Sequence, residues 1–552
     1  MSQKTTLYAP IDLGLLLGVG TLVYLTGRYW NWPGSRHKDM PPGPPPLPIV
    51  GNMHQLKPKN IFMQLCDLNK KYGPIASLKI GSSNMIVIAG DGTVIRELFD
   101  KRGTIYSNRP LEISSEIAGG GDHALWERDT NKWRVARKQM VQHYPRASKN
   151  RYAELQEAES VQLLYDFLHS PERHIHHPMR YATSVVACLN YGVRCTTYDD
   201  PVVCEIEDIL NRLTMINIPG TKPPVEQFPW MWSVNFLKDS ADTDSKLNRY
   251  LPGFITGHWK DKVKEIGKLM DKLYCGLADI GWERGVGGLS PDNLAYKLRL
   301  NEVTTGITRH RQAHVCGLVL EAGSDIVAAV ISTCIMAMVK HEAYQERAQG
   351  EIDNLYNEET LPKWEDEHNM PFVRAVVREA LRWRTPLPMG VPHMNEQDDY
   401  YGGYFIPKGS TIICNAAAIH LNPTRYEDPE SFKPERFLNH TLSMAESAVQ
   451  SDPLERDHFS FGAGRRSCPG IQVAEQDIFV ALARLLWAFK FSAPSGASIV
   501  TDQLDGFFGE VIRRPKYFPL SITARSEQRK ATIERELISV RESVYSLYGS
   551  YK

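Results

Sequence analysis

The sequence predicts a mainly α-helical body with small β-sheets, and two contrasting stretches carry that expectation. Arg309–Lys340 is the most apolar long segment of the body and contains no proline, which marks a long helix buried in the core. Residues 389–415 turn instead to prolines, glycines and β-branched side chains, so strands and turns replace helix there. Between these extremes, residues 131–384 are mostly charge-rich helical stretches broken by loops, while residues 76–80 and 85–88 are short β-like runs. Glu321 and Asp325 in the middle of 309–340 argue against a membrane span at that point.

The chain has 552 residues, with 64 Lys+Arg balanced by 64 Asp+Glu. A formal charge of zero and the lack of a basic tail exclude a nucleic-acid binder that works by bulk electrostatics. A 42% hydrophobic and 23% charged composition is that of an ordinary globular protein, which disfavours disordered, collagen-like and polytopic membrane classes. The nine cysteines are odd in number and form no C-x-x-C pair. They suit a reducing compartment rather than a disulfide scaffold or a zinc finger.

Residues 13–27 carry no charge, and extension back to Leu7 past Asp12 gives roughly the 20 residues that a transmembrane helix needs. Arg28, Arg36 and Lys38 follow it against Lys4 before it, and Tyr24, Tyr29, Trp30 and Trp32 supply interfacial aromatics, so the positive-inside rule keeps the body cytosolic. A cleaved signal peptide is the competing reading, but no small-x-small site precedes the aromatic, basic flank. Residues 41–48 (PPGPPPLP) are expected to form a stiff, extended spacer, with an SH3-type ligand as the alternative. The expected divisions are an anchor over 1–32, a proline-rich hinge over 33–52, a catalytic body over 53–525 and a charged amphipathic tail over 526–552. In the tail, Ile533, Leu537, Val540, Val544 and Leu547 make one apolar stripe that either docks on the body or pairs with a second copy.

The most specific segment is residues 461–470, FGAGRRSCPG, followed by an apolar helical run. A cysteine just before a helix feels the positive end of the macrodipole, which favours the metal-binding thiolate. Gly464 and Gly470 allow tight turns that aim amide N–H groups at the sulfur of Cys468, and Phe461 can cover it. Glu379 and Arg382 lie i, i+3 on one helix face and can form a salt bridge.

Residues 461–470 match F-x-x-G-x-R-x-C-x-G and resemble the haem-binding loop of the cytochrome P450 family, here of microsomal type and similar to fungal secondary-metabolite monooxygenases. Residues 379–382 (EALR) and 434–437 (PERF) resemble that family's E-x-x-R helix and its partner loop, which implies that Arg436 completes the salt bridge. The resemblance implies a mostly helical triangular prism with small sheets, preceded by one N-terminal transmembrane helix, with haem b between the long buried helix and the helix after the cysteine. It implies Cys468 as the iron ligand, and Trp133, Arg137, His393 and Arg466 as residues that meet the haem propionates. It also implies O2 as oxidant and an NADPH–cytochrome P450 reductase docking where Lys132, Arg134 and Lys138 could face its acidic surface. No G-x-G-x-x-G strand–helix unit offers an internal nicotinamide site.

Residues 322–327 (AGSDIV) resemble the family's A/G-G-x-D/E-T-T/S, in which glycine opens an oxygen groove and threonine orients water. Ile326 stands where the threonine would be and offers neither donor nor acceptor, which leaves Asp325 as the candidate proton relay or as a salt-bridge partner. Three functions follow. The first is a monooxygenase in the endoplasmic reticulum membrane, acting on a lipophilic small molecule. The second is an atypical haem-thiolate enzyme that closes rings, couples or rearranges peroxides without net oxygen insertion. The third is a non-catalytic haem sensor. The resemblance places the substrate pocket among residues 107–131, 211–248, 318–326, 387–391 and Phe507–Phe508, largely apolar or small segments that suit a lipophilic ligand.

Overall fold

The computed structural model describes residues 13–29, 34–145, 152–218, 220–228 and 259–551. The expected helix over 309–340 forms with those bounds as α8, and most of it is buried because its apolar residues run around the whole circumference rather than along one stripe. By length and composition alone it could cross a membrane, yet 78% of its most apolar window lies inside the protein. The buried acid Glu321 is tied within the core, with His123 Nε2 at 3.2 Å and the hydroxyl of Tyr274 donating to it.

Other helices longer than ten residues accompany α8 among the described residues. In chain order they are α1 (Leu13–Tyr29), α2 (Ile61–Tyr72), α3 (Thr130–His143), α4 (Ala153–His169), α5 (His177–Tyr191), α6 (Pro201–Ile216) and α7 (Trp259–Val286), then α9 (Glu342–Asp353), α10 (Pro371–Trp383), α11 (Ile471–Ala488) and α12 (Glu527–Ser543). Proline at the first turn begins α6 and α10, where its missing N–H is not needed. Helices α5, α7 and α11 pack on α8. A Cβ on Gly323 would collide with Val186 of α5, and one on Gly317 with the ring of Tyr274 of α7. Gly323 is therefore a close-packing position between α8 and α5.

The β portion is small. Strands β1 (Ile75–Ile80) and β2 (Ser83–Ile88) pair antiparallel from Ile75↔Ile88 to Ile80↔Ser83. β3 (His393–Met394), β4 (Asp399–Tyr401), β5 (Tyr404–Ile406) and β6 (Thr411–Cys414) follow, and the four-stranded sheet runs β1-β2-β6-β3, with β2 and β6 parallel. β7 (Phe489–Ser492) pairs with β10 (Ser521–Ala524), and β8 (Phe507–Phe508) with β9 (Arg514–Pro515).

The proline-rich segment also makes contacts with the body. It is extended, but the amide of Ser77 in β1 donates to Pro42 O at 2.8 Å and the Asn52 side-chain amide donates to Pro44 O and Pro45 O at 3.2 Å. Prolines leave their carbonyls without ladder partners, and the sheet edge supplies donors, so this hinge is a docked strap. α1 exposes Leu17, Val19, Leu22, Tyr24 and Leu25. Leu7, Asp12, Trp30 and Trp32 lie outside the described residues, as does most of 211–248.

The tail docks on the body. Ile533 and Leu537 are buried and Val544 nearly so, whereas Leu547 remains exposed. The Tyr545 hydroxyl donates to Ala158 O of α4 at 2.6 Å, and Arg194 lies 3.4 Å over its ring. Gly549 bridges Val193 in parallel.

Candidate active site

Residues 459–470 close into a loop because the Cys468 amide donates to Phe461 O at 2.9 Å and the Phe459 amide donates to His420 Nε2 at 2.8 Å. Gly464 has φ +67°, and a Cβ there would strike the carbonyl of Phe99, so both turn and close approach require glycine. Gly470 has φ −93°, an ordinary conformation, and a side chain there would merely touch Cys468 Sγ at 4.0 Å. The half-buried Cys468, outside any disulfide, thus sits just before Ile471, the first residue of α11. That is the positive end of the helix dipole. Phe461 is partly exposed and packs toward His458 at 5.7 Å between ring centroids.

Cations converge around this loop. Arg466 donates to Ser107 O and Glu127 O, both at 2.8 Å, and lies 4.1 Å over the buried ring of Trp133 on α3. One turn along α3, Arg137 donates to Ser467 O. Burial and then the Arg137 charge push Arg466 down to about 9. A third guanidinium, Arg109, joins them from the 107–110 turn, donating to Leu125 O at 3.2 Å, Val391 O at 3.0 Å and Pro392 O at 2.6 Å. Burial, then Arg466 and Arg137, hold it well below the ordinary guanidinium range. Sequence reasoning missed Arg109, because an Arg-Pro pair in a loop has no periodicity and its burial exists only in the fold.

His393 is buried, stacks on Phe99 at 4.2 Å and places Nδ1 2.7 Å from Tyr106 O. A carbonyl can only accept, so Nδ1 carries the proton and a neutral ring turns a bare Nε2 outward. Burial, then Arg109 and Arg466, lower its pKa. Nε2 is thus the ring nitrogen left to meet a propionate beside it. The ring donates there only when an anion beside it supports the imidazolium.

On α8, partial or full exposure is confined to Leu318, Val319, Ala322, Gly323 and Ile326 between residues 311 and 330. These positions recur at four-residue steps, which puts them on one accessible face of α8. Asp325 points elsewhere. It is buried and forms an ion pair at 3.1 Å with Arg514 Nε of β9, while Arg514 Nη2 donates to Asn211 Oδ1 of α6 at 3.0 Å. Burial pushes the Asp325 carboxyl up to about 6, Arg514 opposes the rise and Glu207 adds to it. Of the two roles expected for this acid, the geometry is that of the salt bridge. Because the folded state binds this proton more tightly than the unfolded chain, Asp325 costs stability as pH rises from about 4 to about 6. Arg514→Leu removes the lowering charge. The acid limb of a pH–turnover profile is therefore expected to move upward, and an unmoved limb would separate Asp325 from turnover.

The exposed Lys132, Arg134 and Lys138 lie on the outer face of α3. His174 and His177 serve structure: the first packs on Phe518 and the second meets Ser170 O at 2.8 Å.

A family model described as Cytochrome P450 matches residues 41–518. The chain belongs to the cytochrome P450 family. It is 35% identical to a cytochrome P450 monooxygenase of Arthrobotrys oligospora, covering 91% of this chain and 92% of that one. It is 34% identical to cytochrome P450 monooxygenase acuD of Aspergillus aculeatus, over 92% and 93% of the two chains. A zebrafish cytochrome P450 solved with abiraterone shares the fold, with a TM-score of 0.64 at 22% identity over 84% of this chain and 100% of that one. This P450 is accordingly an oxidoreductase whose cofactor is haem b and which uses O2, a redox partner and a small-molecule substrate. The residues fit that cofactor. Arg109 and Arg466 spend their guanidiniums on carbonyls and repel each other, a local excess of positive charge that two propionates would neutralise.

Proposed function

We propose that this P450 is a membrane-anchored haem-thiolate monooxygenase that oxidises a lipophilic small molecule, with electrons delivered singly by NADPH–cytochrome P450 reductase. The observation that carries it is the half-buried Cys468 at the dipole end of α11, in a loop that Arg137 and Arg466 tie to its surroundings and that Arg109 joins through its charge on both. Cys468 would hold the iron, the three arginines and the indole of Trp133 would hold the propionates, and Phe461 would flank the sulfur. When bound, haem supplies O–O bond cleavage driven by electron donation from sulfur. The chain's own residues do the rest. The accessible face of α8 would present Leu318, Val319 and Ile326 to the substrate, and Asp325 braces β9 against α8 through Arg514.

The exposed apolar α1 supports an anchor: seventeen residues span about 26 Å, close to the roughly 30 Å hydrocarbon core. With Arg28, Arg36 and Lys38 behind it, the body faces the cytosol from the endoplasmic reticulum membrane. The exposed Lys132, Arg134 and Lys138 suit an acidic reductase surface. Fungal cytochrome P450 monooxygenases among its relatives support a fungal secondary metabolite as substrate. Reduced wild-type protein under carbon monoxide is expected to show the red-shifted Soret band of thiolate ligation; a porphyrin-free protein or an imidazole-type spectrum would overturn the proposal.

One observation favours a second reading. Ile326 lies on that accessible face without a hydroxyl, so substrate or ordered water must supply the donor that threonine would, or the reaction is a ring closure or coupling that inserts no oxygen. Product mass distinguishes these, gaining one oxygen or losing only hydrogens. Ile326→Thr is expected to preserve haem binding and to change the share of NADPH lost as peroxide; identical coupling in both forms would remove position 326 from proton delivery.

A further inference from the structure

The N-terminal turns of α8 carry a cluster that haem chemistry does not use. His310 and His314 lie one turn apart on one face, and both aim Nε2 at Oδ1 of Asp271 on α7, at 3.1 and 3.0 Å. The three potential ligand atoms all lie within 4.8 Å of one another. Behind His310, Nδ1 meets Asp122 Oδ2 at 2.8 Å, a carboxylate–histidine pair of the kind that orients imidazole toward a metal. His314 is fully buried against the edge of Tyr274, and its Nδ1 has no hydrogen-bond partner among the described residues. Asp271 is half exposed, which gives an ion a way in and leaves room for water as a fourth ligand.

We propose that His310, His314 and Asp271 form a binding site for a divalent transition-metal ion of borderline softness, best matched by zinc, that ties α7 to α8. Two imidazoles and one carboxylate with an open fourth position are a donor set that zinc accepts. Tetrahedral ligands at about 2.0–2.1 Å stand about 3.3 Å apart, so the present spacing needs only small shifts. Without an ion, Asp271 holds the rings by hydrogen bonds alone. With one, a single bonded centre joins two helices that otherwise meet through the close approach at Gly317 and the Tyr274–Glu321 hydrogen bond. The site is independent of the haem assignment.

The test uses full-length, haem-loaded protein stripped by a chelator, then equilibrated with zinc chloride alone. Equilibrium dialysis is expected to find one more tightly held zinc ion per chain in the wild type than in a His310→Gln/Asp271→Asn double variant. These two side chains are partly exposed, and an intact carbon monoxide spectrum certifies that the variant is folded. Zinc should raise the Tm of the wild type only, since an ion that binds the folded chain stabilises it by mass action, and magnesium chloride should raise neither. Asp122→Asn should weaken zinc binding by about tenfold through lost orientation of His310. Equal zinc binding and equal Tm shifts in wild type and double variant would overturn the proposal, as would Asp122→Asn binding with unchanged affinity.

Discussion

Replacing Cys468 with serine is expected to abolish the red-shifted carbon monoxide band and to bring turnover to background. Serine preserves the backbone that closes the loop, namely the amide donating to Phe461 O and the Gly464 turn beneath Phe99, so the loop should keep its shape. What is lost is a soft, ionisable donor, since an alcohol does not ionise near neutrality and binds such iron weakly. Haem content, read separately as the pyridine complex, should fall less than the band does, because Arg109, Arg137 and Arg466 are untouched. A variant that keeps the band would refute the assignment of residue 468.

Glu379→Ala is expected to cost the most stability of any single change. Glu379 and Arg382 are fully buried on α10 and pair through two contacts of 2.7 Å. Arg436 adds a contact at 3.4 Å, and the Lys433 amide donates to the same carboxylate at 2.8 Å. Arg382 also holds His420 O and Pro429 O, so it fastens α10 to the loop that leads to the cysteine. Removing one partner of a buried pair leaves an uncompensated charge at about 3–5 kcal/mol, against a whole-domain margin of about 5–15 kcal/mol. The expected result is a collapse in the yield of carbon monoxide-competent protein and a lower denaturation midpoint. Asp353→Ala, which breaks a more exposed pair with Arg525 and Arg529, should cost only about 1 kcal/mol and serves as the comparison. Similar losses in both variants would deny the triad its special place.

Signals compressed within one segment were legible in the sequence. The bounds of α8 follow from thirty-two proline-free, mainly apolar residues, and the cysteine loop from glycine, arginine and cysteine at fixed offsets. The Glu379–Arg382–Arg436 set was legible because two members share a helix face. What stayed hidden needed a partner distant in sequence. Arg514 reaches Asp325 across much of the chain, Val186 packs on Gly323, and Ser77 takes up the proline strap. No local pattern encodes such meetings. The role of His393 depended on which nitrogen holds a proton, and Tyr106 O decides that only once the chain is folded.

The docked C-terminal segment changes what counts as an exchangeable unit in this enzyme. Tyr545 roofs Arg194, which with Arg180 neutralises the wholly interior Glu159. A chimaera that grafts a relative's body onto this end, or trims the chain after residue 525, would let water reach three interlocked charges and bare the apolar side of α4. Hybrid enzymes should therefore inherit residues 153–195 and the C-terminal segment through Tyr545 together, as one inseparable cassette.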